Sequence, residues 1–597
     1  MFLRYKVRKK NGKEHRSWSV VENQRLANGR VVQRHVLYLG EINDSQNRAW
    51  RKSIEAFLED QPEEPPATLA LFPDDTVAAS VADEDIVRLR LSELKLCRPR
   101  QWGACWLALH LWQELGLHEF WEQRLPPSRK GTRWDQILAM LACYRLISPG
   151  SEWKLHRQWF LQSAMADLLG GDFGLAEPHK LYVCHDRLLQ HKAELFTHLR
   201  DKWRDLFNAS FEVLLYDLTS TYCESSPNFP PGDKRRFGHS RDKRSDCVQV
   251  IIALIVTPEG FPLAYEVLPG NTSDKTTLKD FLARIEKQYG KAKRIWVMDR
   301  GIPTEETLEE MRAQDPPVQY LVGTPKGRLA QYEQALLGKT WQQARPGVEV
   351  KLLPQDKELY VLARSHDRIA KERSMRRRQL KWLWRRLQEI QAMDLVRDDL
   401  MKKLGVAQHE APAAWRLIKV AVAETKKKEK AKFTYQLNKD KLRIVRRREG
   451  SYLLRSNLTE TDPAKLWNFY LQLTQVEEAF KNLKGDLAIR PIHHQDEIRI
   501  EAHIFICFLA YCLHVTLGRR LRDLAPGLTT RSALEKFAAV QMLDVRIPTT
   551  DAREVVLTRY TQPERELELL LNELKLKLPP QPPPKITTPP RKADEAL

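Results

Sequence analysis

The chain has 597 residues and a formal net charge of +20, so it is long enough for several domains and basic enough to favour a polyanionic partner. Hydrophobic residues make up 42% of the chain, which argues against general disorder. We find no run of 18 apolar residues and no secretory signal, so no membrane span is expected. The eight cysteines form no Cys-x-x-Cys pair, which predicts reduced thiols in a cytoplasm rather than a disulfide scaffold or a zinc ribbon.

The positive charge is concentrated in two segments. Residues 1–34 carry ten Lys and Arg against two Glu, and residues 364–450 carry 26 Lys and Arg against 11 acidic residues. Local excesses of this kind are typical of surfaces that bind phosphate groups. Solvated helix faces are the alternative interpretation of each segment taken alone.

The first third of the chain predicts three units. Residues 1–54 indicate a small basic β domain, because runs of β-branched and aromatic residues are separated by Asn-Gly turns. Residues 55–85 hold ten acidic residues, no basic ones and several prolines, which is typical of a linker. Residues 86–208 predict a helical module, since Trp and Leu recur there with helical periodicity.

The rest of the chain predicts an α/β domain with an insertion. Residues 209–325 contain three strands, a helix, a strand, a helix and a strand, an order that suits an RNase H-like domain but also other α/β folds. Residues 326–460 mix strands with a basic helix. Residues 461–520 predict one helix begun by Pro463 and a second, apolar and buried helix. We expect residues 521–577 to be helical and the Pro-rich tail, 578–597, to be extended or disordered.

Three carboxylates are candidates for chemistry. Asp217 and Asp299 each end a short apolar strand, where the side chains of neighbouring strands converge. Glu477 lies within a predicted helix and would complete the group if that helix packs beside the sheet. Three clustered carboxylates need cations, and Mg²⁺ prefers oxygen ligands. A strand-end Asp is more often only a turn residue, and the pattern alone does not decide between Glu477 and Glu478.

Several sequence blocks occur together in one order. They are Tyr216-Asp217-Leu218-Thr219-Ser220, Gly238-His239-Ser240-Arg241-Asp242-Lys243-Arg244, Gly270-Asn271-Thr272-Ser273-Asp274, Met298-Asp299-Arg300-Gly301, Tyr470-x-x-Leu473-x-x-x-Glu477-x-x-Phe480-x-x-x-Lys484 and Arg490-Pro491-Ile492. From about residue 210 to 515 this order resembles the DDE transposases of bacterial insertion sequences, in the branch with a Tyr-Arg-Glu-Lys signature. Leu473 occupies the place of the signature arginine, which leaves the phosphate contact of that arginine in doubt.

The resemblance implies an RNase H-like catalytic domain interrupted by a mixed, basic insertion. It implies Asp217, Asp299 and Glu477 as the catalytic triad and as ligands of two Mg²⁺ ions, for which Mn²⁺ would substitute. The register of the signature favours Glu477 over Glu478.

Four further residues are expected to contact DNA on the strength of the resemblance. They are Tyr470, Lys484, Arg490 and Arg300. The partners so implied are the terminal inverted repeats of a transposon and its target DNA, bound by a homodimer, with the helical module as a candidate for binding the ends. No membrane partner is expected.

The implied activity is metal-dependent cleavage at transposon ends, followed by strand transfer of the 3′-OH into target DNA by direct transesterification. Two alternatives remain open at this point. One is an RNase H-like nuclease that only hydrolyses DNA, and the other is a non-catalytic DNA-binding protein derived from a transposase.

The pair His493-His494 suggests a metal site at first sight. No Cys or carboxylate lies at a suitable spacing in the sequence. The pattern therefore favours two surface or DNA-contacting histidines.

Overall fold

The computed structural model describes most of residues 2–40, a few positions between 44 and 51, and residues 87–587 apart from internal gaps. The gaps are 11–12, 26–28, 225–228, 231, 273–277, 290–293, 300–301, most of 325–338, 346, 356, 425–429, 460–461 and 526–527. The predicted linker at 55–85 and Arg300 lie outside the described residues.

The N-terminal segment forms an antiparallel sheet of three strands, as its hairpin pattern predicts. They are β1 (Phe2–Lys10), β2 (Lys13–Arg25) and β3 (Val31–Gly40). Tyr5 of β1 is paired with Trp18 of β2, and their ring centroids are 4.9 Å apart. Such aromatic cross-strand pairs stabilise one register. Lys6 also lies over the ring of Trp153, at 5.5 Å, so this sheet contacts the helical segment that follows.

The predicted helical segment is present and begins after one strand, β4 (Lys95–Gln101). Its helices are α1 (Gly103–Glu114), α2 (Leu117–Arg124), α3 (Trp134–Ile147), α4 (Glu152–Lys154), α5 (Phe160–Gln162), α6 (Met165–Leu169), α7 (Pro178–His185) and α8 (Lys192–Phe207). Large aromatic side chains fill the space between them, with Trp121 and Trp203 fully buried. Burial of so much apolar area makes this segment part of the main core rather than an appendage.

A nine-stranded mixed sheet forms the centre of the protein. Its strands are β5 (Val213–Cys223), β6 (Val248–Val256), β7 (Pro262–Pro269), β8 (Ile295–Met298), β9 (Gln319–Thr324), β10 (Gln342–Arg345), β11 (Val348–Gln355), β12 (Glu358–Ser365) and β15 (Ser451–Ser456). The strand order is β10-β11-β12-β15-β9-β8-β5-β6-β7, with β5, β8 and β9 parallel to one another. Two helices, α9 (Leu278–Tyr289) and α10 (Glu305–Ala313), connect the strands of the second half.

The predicted insertion at 326–460 is divided between two cores. Its strands β10, β11, β12 and β15 extend the central sheet through the pairing of β15 with β9. A second, smaller core is formed by α11 (His366–Ala392), α12 (Arg397–Glu410), α13 (Pro412–Trp415), β13 (Ile418–Val422) and β14 (Phe433–Leu437), with α14 (Lys439–Arg448) following. This part of the insertion has an apolar cluster of its own, centred on Leu383 and Leu387, and a further small cluster joins Tyr332 and Leu336 to Leu353, Tyr360, Leu362 and Leu453 beside the sheet.

The helix predicted from Pro463 to Lys484 is in fact two helices, α15 (Pro463–Leu471) and α16 (Leu473–Lys484). The Asp462 side chain accepts a hydrogen bond from the Ala464 N–H at 2.9 Å and caps α15. At the junction the Gln475 N–H donates to the Gln472 carbonyl, an i to i+3 bond that tightens the turn.

The next helix, α17 (Glu497–Leu524), is long and apolar enough to cross a membrane by length and composition. The segment is not an unbroken apolar run, because Glu501, His503 and His514 interrupt it. Most of its apolar stretch is buried inside the protein, where it packs against α3 and α16. This burial identifies α17 as a core helix, as its apolar pattern predicts.

The prediction of a purely helical C-terminal region was also wrong. Residues 521–577 contain α18 (Thr530–Phe537) and α19 (Arg565–Glu573), but also the strands β16 (Gln541–Pro548) and β17 (Glu554–Tyr560). These strands form a sheet of order β18-β17-β16-β4, in which β18 (Lys585–Thr587) comes from the Pro-rich tail. The partner of β16 is β4, more than 400 residues earlier, which no local pattern reveals.

Candidate active site

Asp217 lies in the middle of β5 and not at its end, because the strand continues to Cys223. Its Oδ1 accepts a hydrogen bond from the Leu218 N–H at 2.8 Å, and an Arg241 guanidinium nitrogen lies 4.0 Å from the same oxygen. The side chain is mostly buried but still reaches solvent. The carboxylate is thus held in one orientation with room for a ligand.

Asp299 directly follows β8, as the sequence predicts, and its side chain is exposed. β5 and β8 are parallel neighbours whose last paired residues are Tyr216 and Met298. Asp217 and Asp299 are the next residue on each strand. The register of the sheet therefore brings these two predicted site residues to adjacent positions on one edge.

Glu477 lies on α16, which packs on β5 and β6. The buried face of this helix is formed by Val476, Ala479, Phe480 and Leu483, at the spacing expected for one helix face. Glu477 and Glu478 are both exposed.

The two glutamates face different neighbours. Burial raises the pKa of Tyr452, and the negative charge of Glu477 adds to that rise. Burial likewise raises the pKa of Tyr511 on α17, and there the added charge is that of Glu478. Tyr452 belongs to β15, which pairs with β9, and β9 in turn pairs with β8, the strand before Asp299. Tyr511 belongs instead to helix α17.

The three carboxylates are not gathered as tightly as a single-ion site. The carboxylate oxygens of Asp217, Asp299 and Glu477 do not all lie within 4.8 Å of one another. Among the described residues, a group of three ligand residues that does meet this distance occurs elsewhere. Two ions about 3.5–4 Å apart would separate the outermost ligands of a shared site. A looser arrangement of like charges is therefore compatible with two metal ions.

Lys484 and Arg490, predicted to contact DNA, are both bound to one carboxylate. Lys484 Nζ lies 3.0 Å from Asp242 Oδ1, and the Arg490 guanidinium contacts the same oxygen. Burial lowers the pKa of Lys484 despite the hydrogen bond to Asp242. With Arg241 beside Asp217, these residues form a compact basic cluster next to the predicted triad. Asp242 and Arg241 belong to a block quoted for the resemblance, but nothing in the pattern assigned them this role.

Tyr470 and Leu473 are partly buried in the interior. The Tyr470 ring lies 5.8 Å from the ring of Trp467 and 5.9 Å from that of Tyr452. Leu473, in the position of the signature arginine, packs against the main core. An apolar residue suits this environment, which explains why the position tolerates the loss of the arginine charge.

The basic helix α11 exposes one face to solvent. Arg373, Arg377, Arg378 and Lys381 are exposed on it, and so is a large part of Trp382. The ring centroid of the neighbouring Trp384 lies 4.9 Å from that of Tyr435, so Trp384 packs within its own subdomain.

Comparisons with known proteins identify the family of the chain. The family model described as "Transposase DDE domain" matches residues 209–513, and the one described as "IS1634 family transposase, N-terminal domain" matches residues 3–66. No curated protein matches the chain. Among solved structures, a piggyBac transposase synaptic complex with hairpin DNA is similar at a TM-score of 0.34 and 9% identity, over 74% of this chain and 82% of that one. A likeness at that level carries no argument.

The match to the DDE domain covers just over half of the chain and includes Asp217, Asp299 and Glu477. The second match falls on the basic N-terminal sheet. Together they confirm the resemblance that the sequence blocks indicate. The chain belongs to the DDE transposases of insertion sequences.

Proposed function

We propose that this transposase cleaves DNA at the ends of its element and transfers the freed 3′-OH into target DNA by direct transesterification, with Asp217, Asp299 and Glu477 as its catalytic residues. The observation that carries the proposal is the parallel pairing of β5 and β8, which makes the two aspartates neighbours. The packing of α16, which carries Glu477, on β5 supports its inclusion.

An RNase H-like layout of the catalytic domain is part of this proposal. Five strands in the order β7-β6-β5-β8-β9, with β6 antiparallel to its neighbours and β5, β8 and β9 parallel, support it. Helices α9 and α10 lie between the strands in the chain order that such a layout requires.

The donor set fits Mg²⁺, because three carboxylates offer the hard oxygen ligands that this ion prefers. Asp217, Asp299 and Glu477 would hold two ions, and Mn²⁺ would substitute. When bound, the metal would supply Lewis acidity and an activated oxygen nucleophile for phosphoryl transfer. The Leu218 N–H donates to Asp217 Oδ1 and helps to fix the orientation of this carboxylate. The basic cluster of Arg241, Lys484 and Arg490 adjoins Asp217 and suits the phosphate of a bound DNA end.

Basic surfaces outside the proposed catalytic site support DNA as the partner. The exposed arginines and lysine of α11 and the basic N-terminal sheet offer two surfaces for phosphate groups. The helical module would bind the element's terminal repeats, and two copies of the chain would hold the two ends. Tyr470 and Arg300 would contact the DNA backbone near the reaction site.

The test is a strand-transfer assay with the full chain, Mg²⁺ or Mn²⁺, and oligonucleotides that carry the element's terminal repeats. We expect joined products that disappear in Asp217→Asn, Asp299→Asn and Glu477→Gln. Cleavage without joining under every condition would favour a nuclease that only hydrolyses DNA. DNA binding without either product, in a chain that is folded, would favour a non-catalytic descendant of a transposase.

A further inference from the structure

A second group of ligand-type side chains lies buried away from the DDE carboxylates. Glu152 begins α4, His185 ends α7, His494 precedes α17, and His503 lies within α17. All four are buried or nearly so. The donor atoms of Glu152, His494 and His503 all lie within 4.8 Å of one another. The helical module and the segment after the Glu477 helix thus contribute two residues each.

The distances suit coordination better than hydrogen bonding. His185 Nε2 and His494 Nε2 each lie 3.6 Å from Glu152 Oε1. This is longer than a hydrogen bond between nitrogen and oxygen, which spans about 2.7–3.2 Å. Two ligands held about 2.0–2.2 Å from one tetrahedral zinc ion are separated by about 3.4 Å. The rings of His185 and His494 are 5.1 Å apart between centroids, and those of His494 and His503 are 5.4 Å apart.

His185 has polar atoms without an assigned use. Its side chain is 0% exposed, and neither of its ring nitrogens has a hydrogen-bond partner. A buried polar atom without a partner costs about 1–3 kcal/mol, so it needs an explanation such as an ion or a water molecule. Glu152 Oε1 is the charged group that faces it, and a cation between them would satisfy both.

His503 has the arrangement of a metal ligand that is oriented by a second contact. Its Nε2 lies 3.1 Å from the Ile489 carbonyl oxygen, to which it donates. Metal-bound histidines commonly donate their other ring N–H to a backbone carbonyl in this way. Nδ1 then carries the lone pair, and the Arg145 guanidinium lies 3.5 Å from it.

Arg145 is the competing neighbour of this group. Its Nη2 lies 3.5 Å from His503 Nδ1 and 3.9 Å from Glu152 Oε1, and its Nη1 donates to the Ala488 carbonyl. The guanidinium alone could balance the charge of Glu152. It leaves His185 without a partner, however, and it does not explain why His185 and His494 both lie 3.6 Å from one carboxylate oxygen.

We infer that Glu152, His185, His494 and His503 form a closed structural site for a divalent transition metal, with Zn²⁺ as the ion that its three nitrogens and one oxygen fit best. Three imidazoles disfavour Mg²⁺, which selects oxygen ligands. Four protein ligands leave no open position for a reacting water, so the ion would be structural. It would join residues separated by more than 300 positions and fasten the helical module to the catalytic domain.

The experiment uses the full chain produced without a polyhistidine tag, equilibrated with Zn²⁺, gel-filtered, and analysed by plasma mass spectrometry. We expect one zinc ion per chain in the wild type and its loss in His494→Gln and Glu152→Gln. His493→Gln is the matched control, because this exposed neighbour lies outside the group, and it keeps the ion. Asp217→Asn also keeps it, which separates this site from the proposed catalytic one.

Replacing zinc with Co²⁺ tests the site in the wild-type chain, so this measurement does not depend on whether the variants fold. We expect the wild type to show the strong visible absorption of tetrahedral Co²⁺ and to unfold at a lower temperature after chelation. A wild-type chain that leaves gel filtration free of zinc, or that gives only the weak spectrum of octahedral Co²⁺, would overturn the inference. Zinc retained in full by folded His494→Gln and Glu152→Gln would show an adventitious ion only.

Discussion

Asp217 and Asp299 occupy adjacent positions on neighbouring parallel strands, because Tyr216 and Met298 are the last paired residues before them. The two aspartates are 82 positions apart in the sequence, yet the sheet makes their backbones neighbours. This relationship carries the proposed chemistry and leads to the first prediction.

Asp299→Asn should abolish catalysis without unfolding the chain. The amide retains the shape of the side chain but removes the charge that would hold a cation, at a cost of about 3–4 kcal/mol in the transition state, or about 10²–10³-fold in rate. The measurement is strand transfer at saturating Mg²⁺, with circular dichroism as the check on folding. Activity within twofold of the wild type would remove Asp299 from the proposed site.

Glu477→Gln and Glu478→Gln form a matched pair on one exposed stretch of α16. We expect the first to lose activity by about 10²-fold or more, because Glu477 is the glutamate proposed to hold the metal ions. The second should change activity little, since its charge acts on Tyr511. Strand transfer measured for both variants decides the register. If only Glu478→Gln loses activity, the third catalytic carboxylate is Glu478 and not Glu477, and the two aspartates keep their proposed roles.

Asp242→Asn should destabilise the protein. Asp242 is 8% exposed and balances Lys484 and Arg490, so its removal leaves two cations crowded beside Arg241. Breaking a buried pair costs about 3–5 kcal/mol, and the partial exposure of Arg490 reduces the expected loss to about 1–3 kcal/mol. Urea unfolding measures it. Asp246→Asn is the control, because its solvent-screened pair with Arg244 lies on the same loop and its loss should leave the stability nearly unchanged.

The same variant reports on DNA. If Lys484 and Arg490 contact a phosphate group, removal of the competing carboxylate should tighten binding to an end oligonucleotide at low salt. Weaker binding by a folded Asp242→Asn would mean that Asp242 positions the two cations for DNA instead of competing with it.

The double variant Arg377→Gln/Arg378→Gln tests the basic face of α11. Each phosphate contact contributes about 0.9 to the slope of log affinity against log salt, so the slope should fall by about 1.8. Fluorescence anisotropy across a salt series measures this slope. Arg531→Gln, an exposed residue paired with Glu535 on α18, should leave it unchanged. An unaltered slope in the double variant would show that α11 does not contact DNA.

Local sequence patterns predicted many of the strands and helices, because such patterns show which face of an element is apolar and where a turn begins. The apolar strand before Asp299, the Pro463 start of α15 and the buried character of α17 were all readable, since each depends on neighbours within a few residues. The extent of β5 was not, because the strand continues only where β6 pairs with it as far as Cys223. The C-terminal sheet was missed for a related reason, as its strands depend on β4.

The order of residue types along the chain is enough to identify the family, the two basic segments and the three candidate carboxylates. Which groups meet depends on how the chain folds. The tertiary structure paired Lys484 and Arg490 with Asp242, turned Glu477 and Glu478 toward different neighbours, and buried His494 beside Glu152, His185 and His503 instead of at the surface. The physical reason is that contacts across hundreds of residues follow from sheet register and helix packing, which leave no local periodicity in the chain.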